Sequence, residues 1–244
     1  MRLRCEFKTE KIPMTYNMMV VSMIKEALKK SNPEYLDKIY SYKENSKNKH
    51  SKNMTFSVYM KGFEVRNDEF LIKDKVVVEI TSPDYGFMVN LYNGIVSKKA
   101  FNYKNKYDII STGIRMVPEK TITNDKVIMR TLSPIAVKSK DGKFLKMEEE
   151  AFRTELNYMC DLIIKNYRGS GLKQELIFEP VSMKKTVVKE EISGCTNMKH
   201  DYLYVNAYKG LFNLEGDKED LNLLYQLGLG FRRNQGFGMV DIVE

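Results

Sequence analysis

The chain is poor in the groups that hold metals and disulfides together. Its 244 residues include three cysteines and two histidines. Cys5, Cys160 and Cys195 lie far apart, form no C-x-x-C pair and leave one thiol over in any disulfide scheme. That excludes a disulfide framework and a structural zinc, and it points to a reducing, cytoplasmic setting. His50 and His200 are distant from each other and lack ligand-spaced neighbours, so neither a metal nor a cofactor is expected. Long apolar runs are missing too, since no window approaches the ~20 residues of a membrane span. The first ten residues, MRLRCEFKTE, alternate charged and apolar side chains and so lack the apolar core of a signal sequence. No membrane partner is expected.

What the chain does have is positive charge and a glycine cluster. Lys and Arg number 40 against 32 Asp and Glu, a formal charge of +8, and the pI of about 9.1 favours an anionic partner. Near the C-terminus, GLGFRRNQGFGMV carries the pattern G-x-G, five residues, G-x-G: Gly228, Gly230, Gly236 and Gly238 bracket Phe231, Arg232, Arg233, Asn234 and Gln235. Glycine permits positive φ and close backbone approach, so such a loop can turn N–H groups toward an anion. Arg232 and Arg233 add fork-shaped donors for phosphate. A nucleotide P-loop does not fit, because no Lys-Ser or Lys-Thr pair follows and the segment precedes a strand. Glycines as helix cap and strand lead-in are the structural alternative.

Hydrophobic periodicity places the elements. Residues 2–8 alternate as a strand with Leu3, Cys5 and Phe7 on one face, and residues 11–15 form a turn around Pro13. Met19, Val20, Met23, Ile24, Ala27 and Leu28 repeat at helical spacing across residues 16–31, and Asn32-Pro33 supplies the stop. Residues 42–53 have no aliphatic side chain and read as an exposed loop. Strands at 55–60 and 76–81, a helix from Ser82-Pro83 toward residue 100 and a strand at 109–117 complete the order βαββαβ. A second pass has a strand at 127–137, a helix at 147–167 closed by Gly169 and Gly171, and strands at 174–189 and 202–212. It ends with a helix entered at Asp217, with Asp220 three residues on, and a strand at 239–243. Glu148, Glu149 and Glu150 read as charges at a helix N-terminus rather than as ligands. The expected fold is α+β, two tandem ferredoxin-like (RRM-like) βαββαβ units over residues 1–122 and 123–244. The aromatic strand signature of the RNA-recognition motif is not recognisable, and fold alone does not give function.

With the glycine cluster placed between the last helix and the last strand of the second unit, the chain resembles the CRISPR-associated repeat-processing endoribonucleases of the RAMP superfamily. The resemblance rests on GLGFRRNQGFGMV at 228–240, TLSPIAV at 131–137 and YVNAYKGLFNLEG at 204–216, with SNP at 31–33 and MTFSVYM at 54–60. It implies binding of CRISPR precursor RNA and one cut within each repeat. It further implies metal-independent chemistry in which the RNA 2′-hydroxyl attacks, leaving a 2′,3′-cyclic phosphate and a 5′-hydroxyl. Gly228, Gly230, Arg232, Arg233, Gln235, Gly236 and Gly238 are then RNA-binding candidates. Effector-complex proteins and a homodimer are further candidate partners. A non-catalytic RNA-binding scaffold subunit of an effector complex is the alternative.

Such chemistry needs a base for the 2′-OH, an acid for the departing 5′-oxygen and cations near the phosphorane. His50, flanked by Lys47, Lys49 and Lys52, is expected to be the main acid/base group. In the family a histidine often stands just after the first helix, where this chain has Tyr40, and a tyrosine can stand within that helix, where this chain has Lys25. Tyr40 and Lys25 are therefore expected to position the scissile phosphate or share proton transfer, which leaves acid and base unassigned. Lys25 reads equally as a solvated helix lysine, and Tyr35 and Tyr42 compete with Tyr40. Lys52 matches a position that often carries lysine and is expected to stabilise developing negative charge. Lys138, Lys140, Lys143, Lys184 and Lys185 read as surface charge that could extend an RNA track.

Overall fold

A computed structural model of the chain describes residues 1–40, 52–191 and 202–243. It divides into two units, Met1–Lys52 with Val58–Pro118, and Asn53–Ser57 with Glu119–Glu244. The division therefore falls four residues before the expected 122/123 boundary. Ile122 is buried in the second unit's core, and its backbone exchanges hydrogen bonds with the Asn222 amide at 3.0 and 2.8 Å.

The first unit contains strands β1 (Arg2–Lys8) and β2 (Lys11–Pro13), helices α1 (Tyr16–Ser31) and α2 (Pro33–Tyr40), and strands β3 (Thr55–Arg66, from Val58 onward) and β4 (Glu69–Thr81). Helix α3 (Tyr85–Lys98) and strands β5 (Ala100–Tyr103) and β6 (Tyr107–Val117) complete it. The sheet runs β2-β4-β1-β6-β5, with β3 also paired to β4. Omitting the short β2 and β5 leaves β3-β4-β1-β6, the antiparallel order of a ferredoxin-like unit. Leu3, Cys5 and Phe7 of β1 are buried, as their alternation requires, with Ile24 and Leu28 of α1 and Met88, Leu91 and Ile95 of α3. The α1–α3 approach is close: a Cβ on Gly94 would stand 2.0 Å from the Ala27 carbonyl oxygen.

The second unit repeats the plan with β7 (Lys126–Thr131), α4 (Glu150–Arg168), β8 (Ile177–Glu191), β9 (Tyr202–Glu215), α5 (Lys218–Leu227) and β10 (Val240–Ile242). Its sheet order, β10-β7-β9-β8, matches that of the first unit strand for strand. The core stacks Phe152 of α4 on Phe178 of β8, and Phe178 on Phe212 of β9, with ring centroids 5.8 and 5.0 Å apart. Asp217 caps α5 by accepting from the backbone N–H groups of Glu219 and Asp220. Asp220 does not reach back to complete a capping box. It is fully buried, pairs with Arg168 at 2.6 Å and accepts from the Lys173 N–H. The fold is thus α+β with tandem ferredoxin-like units.

Candidate active site and nucleic-acid interface

The apolar stripe of α1 turns Met19, Val20, Met23, Ile24, Ala27 and Leu28 inward and leaves Lys25 exposed. Asn32-Pro33 ends α1 as expected, but it also starts α2. The Asn32 side chain accepts from the Tyr35 N–H at 3.0 Å, and Pro33 takes the first helical position, where its missing donor costs nothing. The Tyr35 hydroxyl then donates to Asp84 at 2.8 Å, the residue that caps α3 by accepting from the Phe87 N–H. Burial, with Asp84 beside it, pushes the Tyr35 hydroxyl's pKa well up. Tyr35 is therefore an anchor that fixes α2 to the start of α3.

That anchor sets the position of Tyr40 at the end of α2. The Lys25 ammonium lies 4.8 Å from the centroid of the Tyr40 ring, and the Lys52 ammonium lies 4.6 Å from it. Three candidates from separate stretches of chain thus meet at one half-buried ring whose π-face attracts cations. Two ammonium groups at one ring make a local positive field suited to a phosphate. His50 and Tyr42 lie outside the described residues, as does His200.

The glycine segment is built differently from the expected cradle. Its N–H groups are spent largely on the protein itself. Gly228 donates to Leu224 O at 2.7 Å, Leu229 to Gly238 O at 2.9 Å, Phe231 to Ala136 O at 2.8 Å and Gly238 to Pro134 O at 2.8 Å. Met239 donates to the Ser133 hydroxyl, and the Thr55 hydroxyl donates to Phe237 O. Gly230 and Gly238, at φ +76° and +69°, bring backbone against backbone. A Cβ would stand 2.6 Å from Ala136 O at the former and 1.9 Å from Leu229 O at the latter. Gly228, Gly236 and Phe237 are buried as well.

The two arginines part company. Arg232 takes the left-handed conformation at φ 58° and precedes a 3-10 turn over Arg233–Gln235. Gln235 closes that turn by donating to Arg232 O at 2.8 Å. Arg233 is buried, donates to Leu227 O, and has its pKa pulled down to about 10 by burial. Arg232 stays half-exposed beside the Phe231 ring at 5.7 Å, and Lys138 sits over the same ring at 5.2 Å. The surface this segment offers is therefore an aromatic ring between two cations.

Residues 117–242 match the family model described as CRISPR associated protein Cas6, C-terminal. The chain belongs to the Cas6 family. It is 26% identical over 272 residues to a Methanocaldococcus jannaschii protein named CRISPR-associated endoribonuclease Cas6 1, covering 100% of this chain and 93% of that one. Two solved structures share the whole fold. One, from Pyrococcus furiosus and titled as a Cas6-related gene, has a TM-score of 0.82 at 23% identity over 100% of this chain and 98% of that chain. The other, titled as a RAMP protein binding different RNA substrates, has a TM-score of 0.80 at 21% identity over 100% of both chains.

Other features of this Cas6-family chain were not read from its sequence. In the β8–β9 hairpin, Tyr202 and Tyr204 stand two residues apart, so they share a face and are exposed. Lys189 of β8 lies 3.9 Å from the Tyr202 ring centroid. The i, i+2 tyrosine spacing was the available signal; in the sheet Tyr204 lies opposite Lys189. A cleft of about 440 Å³ in the first unit is lined by Lys8, Lys11, Lys73 and Lys106 among others, but three of these lysines are tied up. Lys11 and Lys106 pair with Glu69, and Lys73 with Glu64. Lys106 first, with Tyr107 and Lys11, holds the Glu69 carboxyl down at about 2. Among the described residues no group of three His, Cys, Asp or Glu could hold a metal ion, and no helix is long and apolar enough to cross a membrane.

Proposed function

We propose that this chain is an endoribonuclease that binds CRISPR precursor RNA and cuts it within the repeat by metal-independent acid/base chemistry. The observation that carries the reading is the convergence of Lys25 and Lys52 on the Tyr40 ring, in a chain whose curated relative bears the endoribonuclease name. In the reaction the RNA 2′-oxygen loses its proton to a base and bonds to the adjacent phosphorus. The P–O5′ bond then breaks, and an acid protonates the departing 5′-oxygen. The products are a 2′,3′-cyclic phosphate and a 5′-hydroxyl. Lys52 and Lys25 supply positive charge where the phosphorane's negative charge develops, and the Tyr40 ring holds the two ammonium groups in place. His50, two residues before Lys52 in the sequence, is the proposed main acid/base group.

RNA holding is assigned to the second unit. Phe231 offers a stacking face, and Arg232 and Lys138 offer phosphate partners. Gly228, Gly230, Gly236 and Gly238, with buried Arg233 and the turn-closing Gln235, shape the backbone that presents them. The test is cleavage of a labelled repeat RNA in EDTA by wild type, His50→Ala and Lys52→Ala, with a second substrate carrying 2′-deoxy at the scissile nucleotide. Wild type is expected to cut, both variants to lose about 10²-fold or more, and the 2′-deoxy RNA to stay intact. RNA bound tightly but left whole by wild type would replace the enzyme with the scaffold reading. Full activity in His50→Ala would remove that residue from the site.

A further inference from the structure

Lys184 and Lys185 are adjacent in β8 but stand on opposite faces of it, because successive side chains of a strand alternate. Pairing with β9 decides which face each takes. Lys185 lies opposite Tyr208, whose ring packs edge-on against Phe152 of α4, so it belongs to the helix-covered face. Lys184 lies opposite Lys209 on the other face. Two residues before Lys209 on that face, Ala207 is fully buried with Ala136 and with Phe237 of the glycine segment. The open face of the second sheet therefore carries two directly opposed lysines beside that segment.

Directly opposed side chains on paired strands have Cβ atoms about 4.5–5.5 Å apart, and like charges in that arrangement destabilise the sheet. Both lysines are exposed, and neither forms an ion pair among the described residues. Partial desolvation of the Lys209 ammonium holds its pKa below the ordinary lysine value, with no described carboxylate beside it to raise it again. A third cation on this face is handled differently. Arg130 of β7, opposite Leu211 of β9, has Asp241 of β10 across from it and pairs with that carboxylate at 2.7 Å. The chain neutralises that cation itself and leaves the opposed lysines to an anion from outside.

We propose that Lys184 and Lys209 together bind one phosphate of the RNA backbone, a contact made of other residues than the Tyr40 cluster or the Phe231 surface. The inference rests on the RNA-binding reading above and extends it to Lys209, which has no role there. RNA is the source of the phosphate because the pair borders the segment that presents Phe231 and Arg232. A strand held by that ring and guanidinium continues across the open face to the lysines. Ammonium groups act on a phosphodiester as point charges and read no base, so the pair fixes position and not sequence. The free protein accordingly carries a repulsion that RNA relieves.

Two measurements test this: fluorescence anisotropy with a repeat RNA carrying 2′-deoxy at the scissile nucleotide, and thermal unfolding of the RNA-free protein. Lys184→Gln and Lys209→Gln are each expected to weaken binding about five- to tenfold and to reduce the logarithmic salt slope by about 0.7. Lys185→Gln removes the same charge from the other face and is expected to keep wild-type affinity. Lys184→Arg is expected to stay within about twofold of wild type. Lys184→Glu, which sets opposite charges face to face, is expected to raise the unfolding midpoint by about 1–4 °C while weakening RNA binding most. Millimolar inorganic phosphate is expected to leave the RNA bound. Equal losses for Lys184→Gln and Lys185→Gln, or wild-type affinity in Lys209→Gln, would overturn the proposal. So would a lowered midpoint for Lys184→Glu, which would make the lysines supports of the fold, or displacement of RNA by millimolar phosphate, which would make a free anion the ligand. Cleavage is read separately with all-ribose RNA, so a wild type that binds through this pair without cutting would overturn the endoribonuclease reading and leave the site standing.

Discussion

Replacing Gly238 by alanine tests whether the glycine segment is a packing device. The residue sits at φ +69°, and an added Cβ would lie 1.9 Å from the Leu229 carbonyl oxygen, 2.9 Å from its carbon and 3.0 Å from its nitrogen. All three are backbone atoms, and Leu229 donates to Gly238 O at 2.9 Å, so neither side can yield without breaking the contact that joins them. The left-handed conformation costs an L-residue about 1–2 kcal/mol, and forcing a methyl into packed backbone adds about 1–3 kcal/mol. Gly169, the αL cap of α4 at φ +85°, supplies the control, since nothing lies within 4 Å of its Cβ position. Gly238→Ala should therefore destabilise by about 2–5 kcal/mol and Gly169→Ala by only about 1–2 kcal/mol.

Urea unfolding followed by circular dichroism reads the difference as a larger fall in midpoint for Gly238→Ala. Equal falls would refute the close-approach argument. A Gly238→Ala chain with wild-type stability that nonetheless loses RNA affinity would refute it more directly, by showing that the glycine meets RNA and not Leu229.

Two further outcomes follow from the first unit. Tyr40→Phe keeps a ring between Lys25 and Lys52 and should retain single-turnover cleavage within about tenfold, whereas Tyr40→Ala should lose about 10²-fold; equal losses would move the role from the ring to the hydroxyl. Glu69, held at about 2 by Lys106, Tyr107 and Lys11, has a folded pKa below its unfolded value. Its stabilisation is therefore present above about pH 4.5 and lost as pH falls from there toward 2. Glu69→Gln should lower the unfolding midpoint at pH 7 and flatten the acid decline, and parallel wild-type and variant curves between pH 7 and 3 would count against the cluster.

The helices were legible because their signals are local. The stripe from Met19 to Leu28 and the caps at Asp217 and Gly169 each act within a few residues, and α1, α5 and the end of α4 lie where those signals put them. Short strands were not legible, because β2 exists through its pairing with Glu69–Leu71 and β5 through its pairing with Tyr107–Ile110. Nor does alternation mark the far end of β3, where residues 61–66 are all exposed. The Asn32-Pro33 pair reads as a stop, yet it is also a capped start, because whether a chain resumes a helix depends on what the next turn can anchor to. Here that anchor is Asp84, far along the chain.

Sequence alone determined the order βαββαβ twice over, the inward face of β1 and the kinship carried by the glycine segment, all of which depend on neighbours in the chain. The tertiary structure decided everything that depends on distant partners. It alone sent Arg233 inward and left Arg232 half-exposed, turned the N–H groups of Gly228 and Gly238 onto Leu224 and Pro134, and gathered Lys25, Tyr40 and Lys52 at one ring. Periodicity records which side of an element is buried. Only packing between elements selects which exposed side chains meet.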